Sequence, residues 1–398
     1  MHAELLLHDW IANVFPWMHL TRREALFSVV SSAAQGGRLT VTALGRSINS
    51  IAKEKHNIKR ADRLLSNANL QAERTDIYAS VSHQIICRTQ RPVVLVDWSD
   101  IDKGQNFFLL RASTPVNGRS LTLYEEIHGL STKEKPKTHC KFLKRLKGVL
   151  PQGCRPIIVT DAGFRGPWFQ DVQRLGWDWV GRIRNRDKIK LHEEQSWKDV
   201  KSLHLQANRK PKLWSEALLT KKNALSCRLI LYKAKSKGRV KKTKFGKRAL
   251  SNQSRRNAAR EREPWLLATS LPADFLLAKR VVKIYASRMQ IEEAFRDLKS
   301  ARLGLSLEYT GTYRINRLAI LVLIGSLAAM FSWLLGTATR IAGIHRQFQA
   351  NTVRNTNVLS VVFVGLQVFR KSKTMIKTKI FQLAKRQLNH IVNEYAYV

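Results

Sequence analysis

The sequence predicts an α/β protein built on a mixed sheet, and three observations support this prediction. Apolar runs such as 93–96 and 156–159 are typical of strands that are buried on both faces. Three predicted strands follow one another from residue 92 to 128, and strands then alternate with helical segments, as in a mixed sheet. The segments before residue 80 and after residue 341 have the apolar spacing of helices.

The charge of the chain indicates a polyanionic partner. The 70 Lys and Arg residues outnumber the 29 Asp and Glu residues, which gives a formal charge of +41. Nucleic acid is the polyanion favoured, because neutralised phosphates release counterions. A cationic secreted or membrane-surface protein has little support, since the amino terminus has no basic segment and no long apolar core. Four cysteines without C-x-x-C spacing favour a reducing cytoplasm.

Residues 1–80 are predicted to form a helical domain that binds DNA. Segments 40–48 and 56–67 are expected to be two short helices around a polar turn, and the second carries Lys59, Arg60 and Arg63 on one side. This arrangement is compatible with a helix-turn-helix-like reader of DNA. A plain helical bundle explains the same pattern nearly as well.

The central region, residues 81–340, has the element order of a ribonuclease-H-like fold. Strands are predicted at 93–97, 106–113, 119–128, 156–161 and 179–185, with helices at 141–150 and 166–176. A β-rich basic insertion is predicted at about 186–262. Within it, residues 233–262 contain 13 Lys or Arg and a single acid, so we expect a flexible loop that becomes ordered on DNA. Residues 341–398 are predicted to form a helical, basic carboxy-terminal region.

The segment 318–339 has two possible interpretations. It contains 22 residues without a charge and is long enough to cross a bilayer. Its Gly, Ser and Thr residues and its isolation in the sequence favour a helix buried in the protein core, and no membrane partner is expected.

Two predicted strands end in a carboxylate, Asp97 in the first and Asp161 in the fourth. A buried carboxylate is costly without a partner, and a cation is the obvious one. With Glu292 from a packed helix, the three acids would bind two Mg²⁺ or Mn²⁺ ions for phosphoryl transfer. Alternatives remain for each acid: Asp100 could replace Asp97, Asp161 could only initiate a turn, and Glu293 could replace Glu292.

Residues 285–299 are predicted to form one helix with a polar face. Tyr285, Arg288, Glu292 and Lys299 fall within an arc of roughly 60°, beside an apolar stripe of Ile284, Ile291, Phe295 and Leu298. A carboxylate between cations suits phosphate chemistry. An ordinary amphipathic helix with an i,i+4 pair of Arg288 and Glu292 is the alternative.

The spacing Y-(2)-R-(3)-E-(6)-K at Tyr285, Arg288, Glu292 and Lys299 resembles that of bacterial insertion-sequence DDE transposases, most closely the insertion-sequence-ten group. The resemblance implies a ribonuclease-H-like core with a metal-binding triad of Asp97, Asp161 and Glu292. It also implies cut-and-paste transposition through a DNA hairpin, by a homodimer that pairs two transposon ends and joins them to target DNA in the bacterial cytoplasm, at the nucleoid.

The same resemblance assigns DNA-binding roles. Tyr285, Arg288 and Lys299 would hold phosphates of the transposon end, and Trp265, in the predicted strand before the signature, would stack on a flipped base. Where close relatives have a second Trp after the signature Arg, this chain has Met289. A ribonuclease-H-like nuclease or resolvase, and a non-catalytic DNA-binding repressor, are the competing interpretations.

Overall fold

A computed structural model gives the fold of the chain. It describes all 398 residues except 103, 185–186, 193, 236–245, 256–258, 260–262, 301–304, 308–309, 354–355, 372–373 and 397–398. The chain divides into two compact units: unit 1 comprises Met1–Pro156 and Met289–Tyr397, and unit 2 comprises Ile157–Arg288. Neither predicted domain boundary, near residue 80 or 340, coincides with the border between the units, and the three-domain organisation stays a prediction.

Helices and strands account for most of the described residues, and the protein is of the mixed α/β type. The α-helices are α1 (Ala3–Val14), α2 (Leu20–Ala34), α3 (Val41–Arg46), α4 (Glu54–Leu65), α5 (Ala68–Ile86), α6 (Pro136–Val149), α7 (Gly166–Arg174), α8 (Val200–Leu203), α9 (Leu277–Ala286), α10 (Met289–Lys299), α11 (Ile315–Ile341), α12 (Val361–Arg370) and α13 (Thr378–Ala396). The strands are β1 (Val93–Asp100), β2 (Phe107–Pro115), β3 (Ser120–Gly129), β4 (Ile157–Thr160), β5 (Asp178–Ile183), β6 (Lys188–Leu191), β7 (Lys198–Asp199), β8 (Lys212–Leu219), β9 (Leu225–Tyr232) and β10 (Trp265–Thr269).

Unit 1 contains three antiparallel strands, with β2 between β1 and β3. Helix α10 packs on all three strands, and α5, α6 and α11 pack on β3. The four residues Val93–Val96 at the start of β1 are fully buried, as their continuous apolar run predicts. The strands predicted at 106–113 and 119–128 are confirmed as β2 and β3.

The long apolar helix α11 forms the core of unit 1. It packs on α2, α5, α12, α13 and β3, and nearly all of its residues from Leu318 to Thr339 are buried. Gly336 and Gly365 let α11 and α12 approach closely, because a Cβ atom at either glycine would lie less than 2 Å from a backbone oxygen of the other helix. Among the residues that the structure describes, α11 is the one helix long and apolar enough to span a membrane. Of its apolar 18-residue segment, 94% is buried inside the protein. The prediction of a buried core helix is confirmed.

Two of the amino-terminal helices, α3 and α5, begin at residues whose side chains accept hydrogen bonds from free amides. The Thr40 hydroxyl accepts a hydrogen bond from the amide of Ala43 at 3.2 Å, and the Asn67 side chain accepts one from Leu70 at 2.8 Å. Helices α3 and α4 pack tightly, since a Cβ atom at Gly45 would lie 2.4 Å from the Ile58 Cα. The two predicted short helices are therefore confirmed.

Unit 2 contains the remaining seven strands. β4 is parallel to β5, and β5 continues through antiparallel pairs to β10, β9, β8, β6 and β7 in that order. Helix α7 packs on β5, and α9 packs on β5, β9 and β10. Four strands, β6 to β9, fall within the segment predicted to be β-rich. Much of the basic stretch 233–262, with the predicted DNA-binding arm, lies outside the described residues.

Candidate active site

Asp97 lies within strand β1 and not at its end. The strand continues for three residues to Asp100, which is paired with Phe108 of β2. Trp98 holds this extension, because its indole nitrogen donates a hydrogen bond to Nε2 of His139 at 3.1 Å. The prediction that the strand ends at Asp97 was wrong. The sequence did not reveal the continuation, because polar residues after an apolar run do not indicate whether backbone pairing continues.

Side-chain alternation along β1 separates the two candidate aspartates. Asp97 and Ser99 share one face of the strand, while Trp98 and Asp100 share the other. Nζ of Lys299, on α10, donates a hydrogen bond to Oγ of Ser99 at 3.0 Å, so α10 covers the face that carries Asp97. Asp100 pairs instead with Lys133 at 3.6 Å. The geometry therefore favours Asp97 over Asp100 as a partner of α10.

Glu292 lies on the same helix as Lys299, seven residues or about two turns earlier, and so on the same side of it. Its side chain is half-buried, while Ile291, Phe295 and Leu298 are buried and dock the helix on the core. Glu293 lies elsewhere on the helix surface, where it is ion-paired with Arg296 and lies 3.8 Å from Arg119. These ion pairs give Glu293 a structural role, and Glu292, on the side of α10 that carries Lys299, is the candidate ligand.

The signature residues do not lie on one helix, and this prediction was wrong. Helix α9 ends at Ala286 and α10 begins at Met289. Between them the amides of Ser287 and Arg288 bond to carbonyls three residues back, at 3.1 and 3.0 Å, and the Ser287 hydroxyl donates to the Ile284 carbonyl at 2.7 Å. These local bonds interrupt the α-helical ladder.

The interruption divides the signature into two pairs. Tyr285 and Arg288 belong to unit 2, whereas Glu292 and Lys299 belong to unit 1. The apolar residues of the predicted stripe are nevertheless all buried, so helical periodicity was correct on either side of the break. A two-residue turn leaves the apolar spacing almost unchanged, which is why the sequence pattern did not reveal it.

Asp161 follows strand β4 directly, as predicted. The strand ends at Thr160, and the half-buried Asp161 begins the turn toward α7. Its Oδ1 accepts a hydrogen bond from the backbone amide of Gly163 at 2.8 Å. The turn-forming role proposed as an alternative is therefore present, and it leaves the second carboxylate oxygen for another partner.

Tyr285 lies at the centre of a cationic cluster in unit 2. Its side chain is buried, the Cζ atom of Arg288 lies 6.0 Å from the centre of its ring, and its hydroxyl is near the guanidinium groups of Arg288 and of Arg182 on β5. Burial raises the pKa of the Tyr285 hydroxyl, the charges of Arg288 and Arg182 oppose that rise, and the carboxylate of Asp161 adds to it. Two guanidinium groups around one hydroxyl form an arrangement suited to an anionic oxygen.

Trp265 contacts this cluster through its ring. The indole packs edge-on against Tyr285 with ring centroids 5.0 Å apart, and against Tyr232 at 5.8 Å. Trp265 is half-buried and not part of the fully buried core. The structure thus brings together Trp265, Tyr285 and Arg288, three of the predicted DNA-binding residues; their role in binding DNA stays a prediction.

A buried ion pair beside Asp97 was not anticipated from the sequence. Arg111 is the β2 residue opposite Asp97, is 3% exposed, and lies 2.6 Å from Oε2 of Glu125 on β3. The hydroxyls of Tyr78 and Ser326 donate hydrogen bonds to Oε1 of Glu125 at 2.8 and 2.6 Å. An arginine inside the apolar run 107–112 was the available signal, because a buried charge requires a partner.

The donor chemistry of the predicted triad suits a hard divalent cation, since Asp97, Asp161 and Glu292 offer only carboxylate oxygens. Unit 1 provides two of these acids and unit 2 provides the third. Across the residues that the structure describes, no cluster of three or more His, Cys, Asp or Glu side chains forms a ready-made metal site. The joint role of the three acids stays a prediction.

Carboxylates on a strand and on a helix packed over it, together with a cationic, aromatic cluster, define a candidate enzyme that acts on phosphate esters. Comparison with known proteins identifies the family. Residues 88–328, more than half of the chain, match the family model of the transposase DDE domain, and the chain belongs to this family of transposases. The family acts on DNA and generally uses divalent metal ions. No curated protein sequence matches the chain.

Proposed function

We propose that this protein is the transposase of an insertion sequence and moves it by a cut-and-paste reaction. It would bind the terminal inverted repeats as a homodimer, excise the element through a DNA hairpin and join it to target DNA, in the cytoplasm at the nucleoid. The proposal depends above all on one observation: the Lys299–Ser99 hydrogen bond places the helix of Glu292 on the face of β1 that carries Asp97. Asp97 and Glu292 both lie within the segment that matches the transposase family.

Asp97, Asp161 and Glu292 are the proposed ligands of two Mg²⁺ or Mn²⁺ ions in a ribonuclease-H-like core. When bound, such ions stabilise the attacking and leaving oxygens of an in-line phosphoryl displacement. The protein's own part is to hold the acids on structured elements. Strand β1 holds Asp97, whose Oδ1 accepts a hydrogen bond from the Trp98 amide at 2.8 Å, and α10 holds Glu292.

The cluster around Tyr285 is proposed to bind the phosphate next to the scissile bond. Arg288 and the Tyr285 hydroxyl would contact phosphate oxygens, and Lys299 would hold a neighbouring phosphate. Trp265 is half-buried, and the accessible part of its ring is proposed to stack on a base displaced from the duplex, a contact worth about 1–3 kcal/mol per base. Stacking on Trp265 would stabilise the displaced base in a reaction that passes through a hairpin.

Helix α4 is the proposed reader of the terminal repeat. It packs on α3 as the second helix of a pair, and its solvent side carries Lys59 and Arg63 one turn apart. An open cleft beside it is lined by polar and basic side chains, among them His19, Thr21, Arg22, His56, Lys59, Arg60, Arg63 and Asn67. The cleft offers both charge for phosphates and donors for base edges.

The test uses the full-length protein and a labelled DNA duplex that carries the inverted repeat flanking its own gene. With Mg²⁺ present, we expect a nick at the repeat end, then a hairpin, a double-strand break and joining to a second DNA. EDTA or a scrambled repeat should prevent all four products. Nicking without hairpin or joining would identify a nuclease, and binding without any cleavage would identify a repressor; either result would overturn the proposal.

A further inference from the structure

Helix α10 is held by the turn between β2 and β3. Oε1 of Gln290, in the first turn of the helix, accepts two backbone hydrogen bonds, from the amide of Val116 at 3.0 Å and from that of Gly118 at 2.9 Å. The turn is well suited to this contact, since Asn117 and Gly118 both have positive φ angles. One side-chain oxygen therefore binds α10 to the tip of the hairpin.

Helix α13, from the carboxy-terminal region, closes this contact into a ring. Nε2 of Gln290 donates a hydrogen bond to the Tyr395 hydroxyl at 2.8 Å. The same hydroxyl donates to Oδ1 of Asn117 at 3.0 Å. Gln290, the hairpin turn and Tyr395 thus form a closed set of hydrogen bonds, which we call the Gln290 ring.

A second contact holds the same side of α10 further along. Nε of Arg119 donates to Oδ2 of Asp297 at 2.5 Å, and Arg119 lies near Glu293. Gln290, Glu293 and Asp297 are spaced i, i+3 and i+7, so they share one side of the helix. Glu292 is two residues from Gln290, about 200° round the helix, so it projects from the opposite side.

We infer that Gln290 and Tyr395 are positioning residues that fix the rotation of α10 and so the direction of Glu292. The inference rests on the proposed catalytic role of Glu292. The hairpin turn grips one side of the helix, and the opposite side presents Glu292 and Lys299. Without these hydrogen bonds the helix can rotate or shift. A displacement of about 1 Å at a catalytic group can slow a reaction about 100-fold.

We expect the hydrogen bonds of the Gln290 ring to affect the stability of the protein much less than they affect the rate of cleavage. A neutral hydrogen bond changes a folding equilibrium by about fivefold. A purely structural role therefore predicts a small loss of stability and little change in rate at saturating substrate. A positioning role predicts a large loss of rate with a nearly unchanged affinity for DNA.

The experiment is a double-mutant cycle on the full-length protein with Gln290→Met and Tyr395→Phe. Cleavage of the repeat-end duplex is measured at saturating DNA and Mg²⁺. We expect Gln290→Met to be about 10–100-fold slower and Tyr395→Phe about 3–10-fold slower, as expected for a helix shift of up to about 1 Å. The double variant should be no slower than Gln290→Met, because Tyr395 acts through Gln290.

Two further measurements separate positioning from general damage. The DNA concentration for half-maximal rate should stay within about twofold of wild type, since the substitutions touch no proposed DNA contact. Amide hydrogen exchange of residues 289–299, measured without metal, should be faster in both single variants. Gln387→Met and Tyr313→Phe are the controls, because both side chains are exposed and lie outside the ring, and they should change neither measurement.

Wild-type cleavage rates in Tyr395→Phe and Gln290→Met would overturn the inference, and so would fully additive losses with unchanged exchange in α10. If Gln290→Met does not fold, the Tyr395→Phe variant, which removes one oxygen atom, still decides the question. Failure of the proposed function is detected separately. If Glu292→Gln cleaves at the wild-type rate, the proposed catalytic role of Glu292 is wrong, independently of the results for Gln290 and Tyr395.

Discussion

The two units hold their candidate site residues by different physical means. In unit 1, Asp97 and Glu292 lie on a strand and on a helix packed over it, and hydrogen bonds and a buried ion pair hold both elements in place. In unit 2, Asp161 lies on a turn after a strand, and Tyr285 and Trp265 are held by burial and ring packing beside two arginines. Unit 1 holds its acids in a network of hydrogen bonds and a buried ion pair, and unit 2 holds an aromatic, cationic cluster.

This difference corresponds to two requirements of phosphoryl transfer on DNA. Metal ligands need fixed positions, which regular elements with buried polar networks provide. Phosphates and bases are bound by cations and aromatic rings, and the end of α9 and strand β10 carry residues of both kinds. The proposed division assigns metal binding mainly to unit 1 and DNA contact near the scissile bond mainly to unit 2.

The largest expected effect comes from removing the charge of one candidate ligand in either unit. Asp97→Asn, Asp161→Asn and Glu292→Gln should each slow DNA cleavage at least about 10³-fold, because metal-ion catalysis contributes several kcal/mol. Asp100→Asn and Glu293→Gln are the neighbouring controls and should retain most activity. Normal cleavage by Asp161→Asn would confine the metal site to unit 1.

A large loss of stability is expected when the buried ion pair of unit 1 is broken. Arg111→Met leaves Glu125 buried without its cation, and such a loss costs about 3–5 kcal/mol of unfolding free energy. Arg46→Met breaks an exposed ion pair with Glu54 and should cost at most about 1 kcal/mol. Urea unfolding followed by circular dichroism compares the two. Equal losses would show that the buried ion pair stabilises unit 1 no more than an exposed one does.

The aromatic surface of unit 2 is tested by Trp265→Ala. Hairpin formation should slow about 10–100-fold through the lost base stacking, while the first nick proceeds at close to the wild-type rate. Trp214→Ala, at another half-buried tryptophan of unit 2, is the control and should leave both steps unchanged. Time courses on denaturing gels separate nick from hairpin. A variant that is insoluble would instead indicate that Trp265 serves the core.

The smallest effect concerns His139, which accepts a hydrogen bond from Trp98 on the face of β1 opposite Asp97. Burial, with a smaller contribution from the charge of His128, lowers the pKa of His139 to about 4. The unfolded chain binds the proton at a higher pH, so stability should fall as pH decreases from about 6.5 toward 4, by about 1 kcal/mol at pH 5.5. Thermal unfolding at pH 7.5 and 5.5 measures this difference.

His139→Gln should reduce that pH dependence, whereas His390→Gln, at an exposed position on α13, should not. An unchanged pH dependence in His139→Gln would show that this histidine titrates in the same way in the folded and unfolded states.

Sequence patterns predicted most elements of both units, because apolar runs and helical spacing reflect burial directly. The strand of Asp161 and the core helix α11 are examples. Two features that depend on hydrogen bonds were missed: the turn at Ser287 and the continuation of β1 past Asp97. The end of β1 pairs with residues of β2, and the sequence does not show this pairing. The turn at Ser287 hardly changes the apolar spacing, so a periodic pattern does not reveal it.

Side-chain pairing across the fold was the least predictable part of the candidate site. The Arg111–Glu125 pair, the Lys299–Ser99 bond and the Gln290–Tyr395 bond join residues 14, 200 and 105 positions apart. Composition and spacing indicate that a buried charge needs a partner but do not identify it. The sequence suggests which residues belong to the candidate site, but it does not reveal the contacts that hold them.

The central claim is that Asp97, Asp161 and Glu292 bind the same metal ions, and metal-directed cleavage of the protein tests it most directly. Fe²⁺ bound in place of Mg²⁺ reduces added hydrogen peroxide to hydroxide and a hydroxyl radical, and ascorbate returns the Fe³⁺ to Fe²⁺. The radicals cut the backbone near the ligands of the iron, and mass spectrometry locates the cuts. We expect cuts close to all three residues, suppressed together by excess Mg²⁺ or by Glu292→Gln. Cuts near Asp97 and Glu292 alone, with none near Asp161, would contradict the claim.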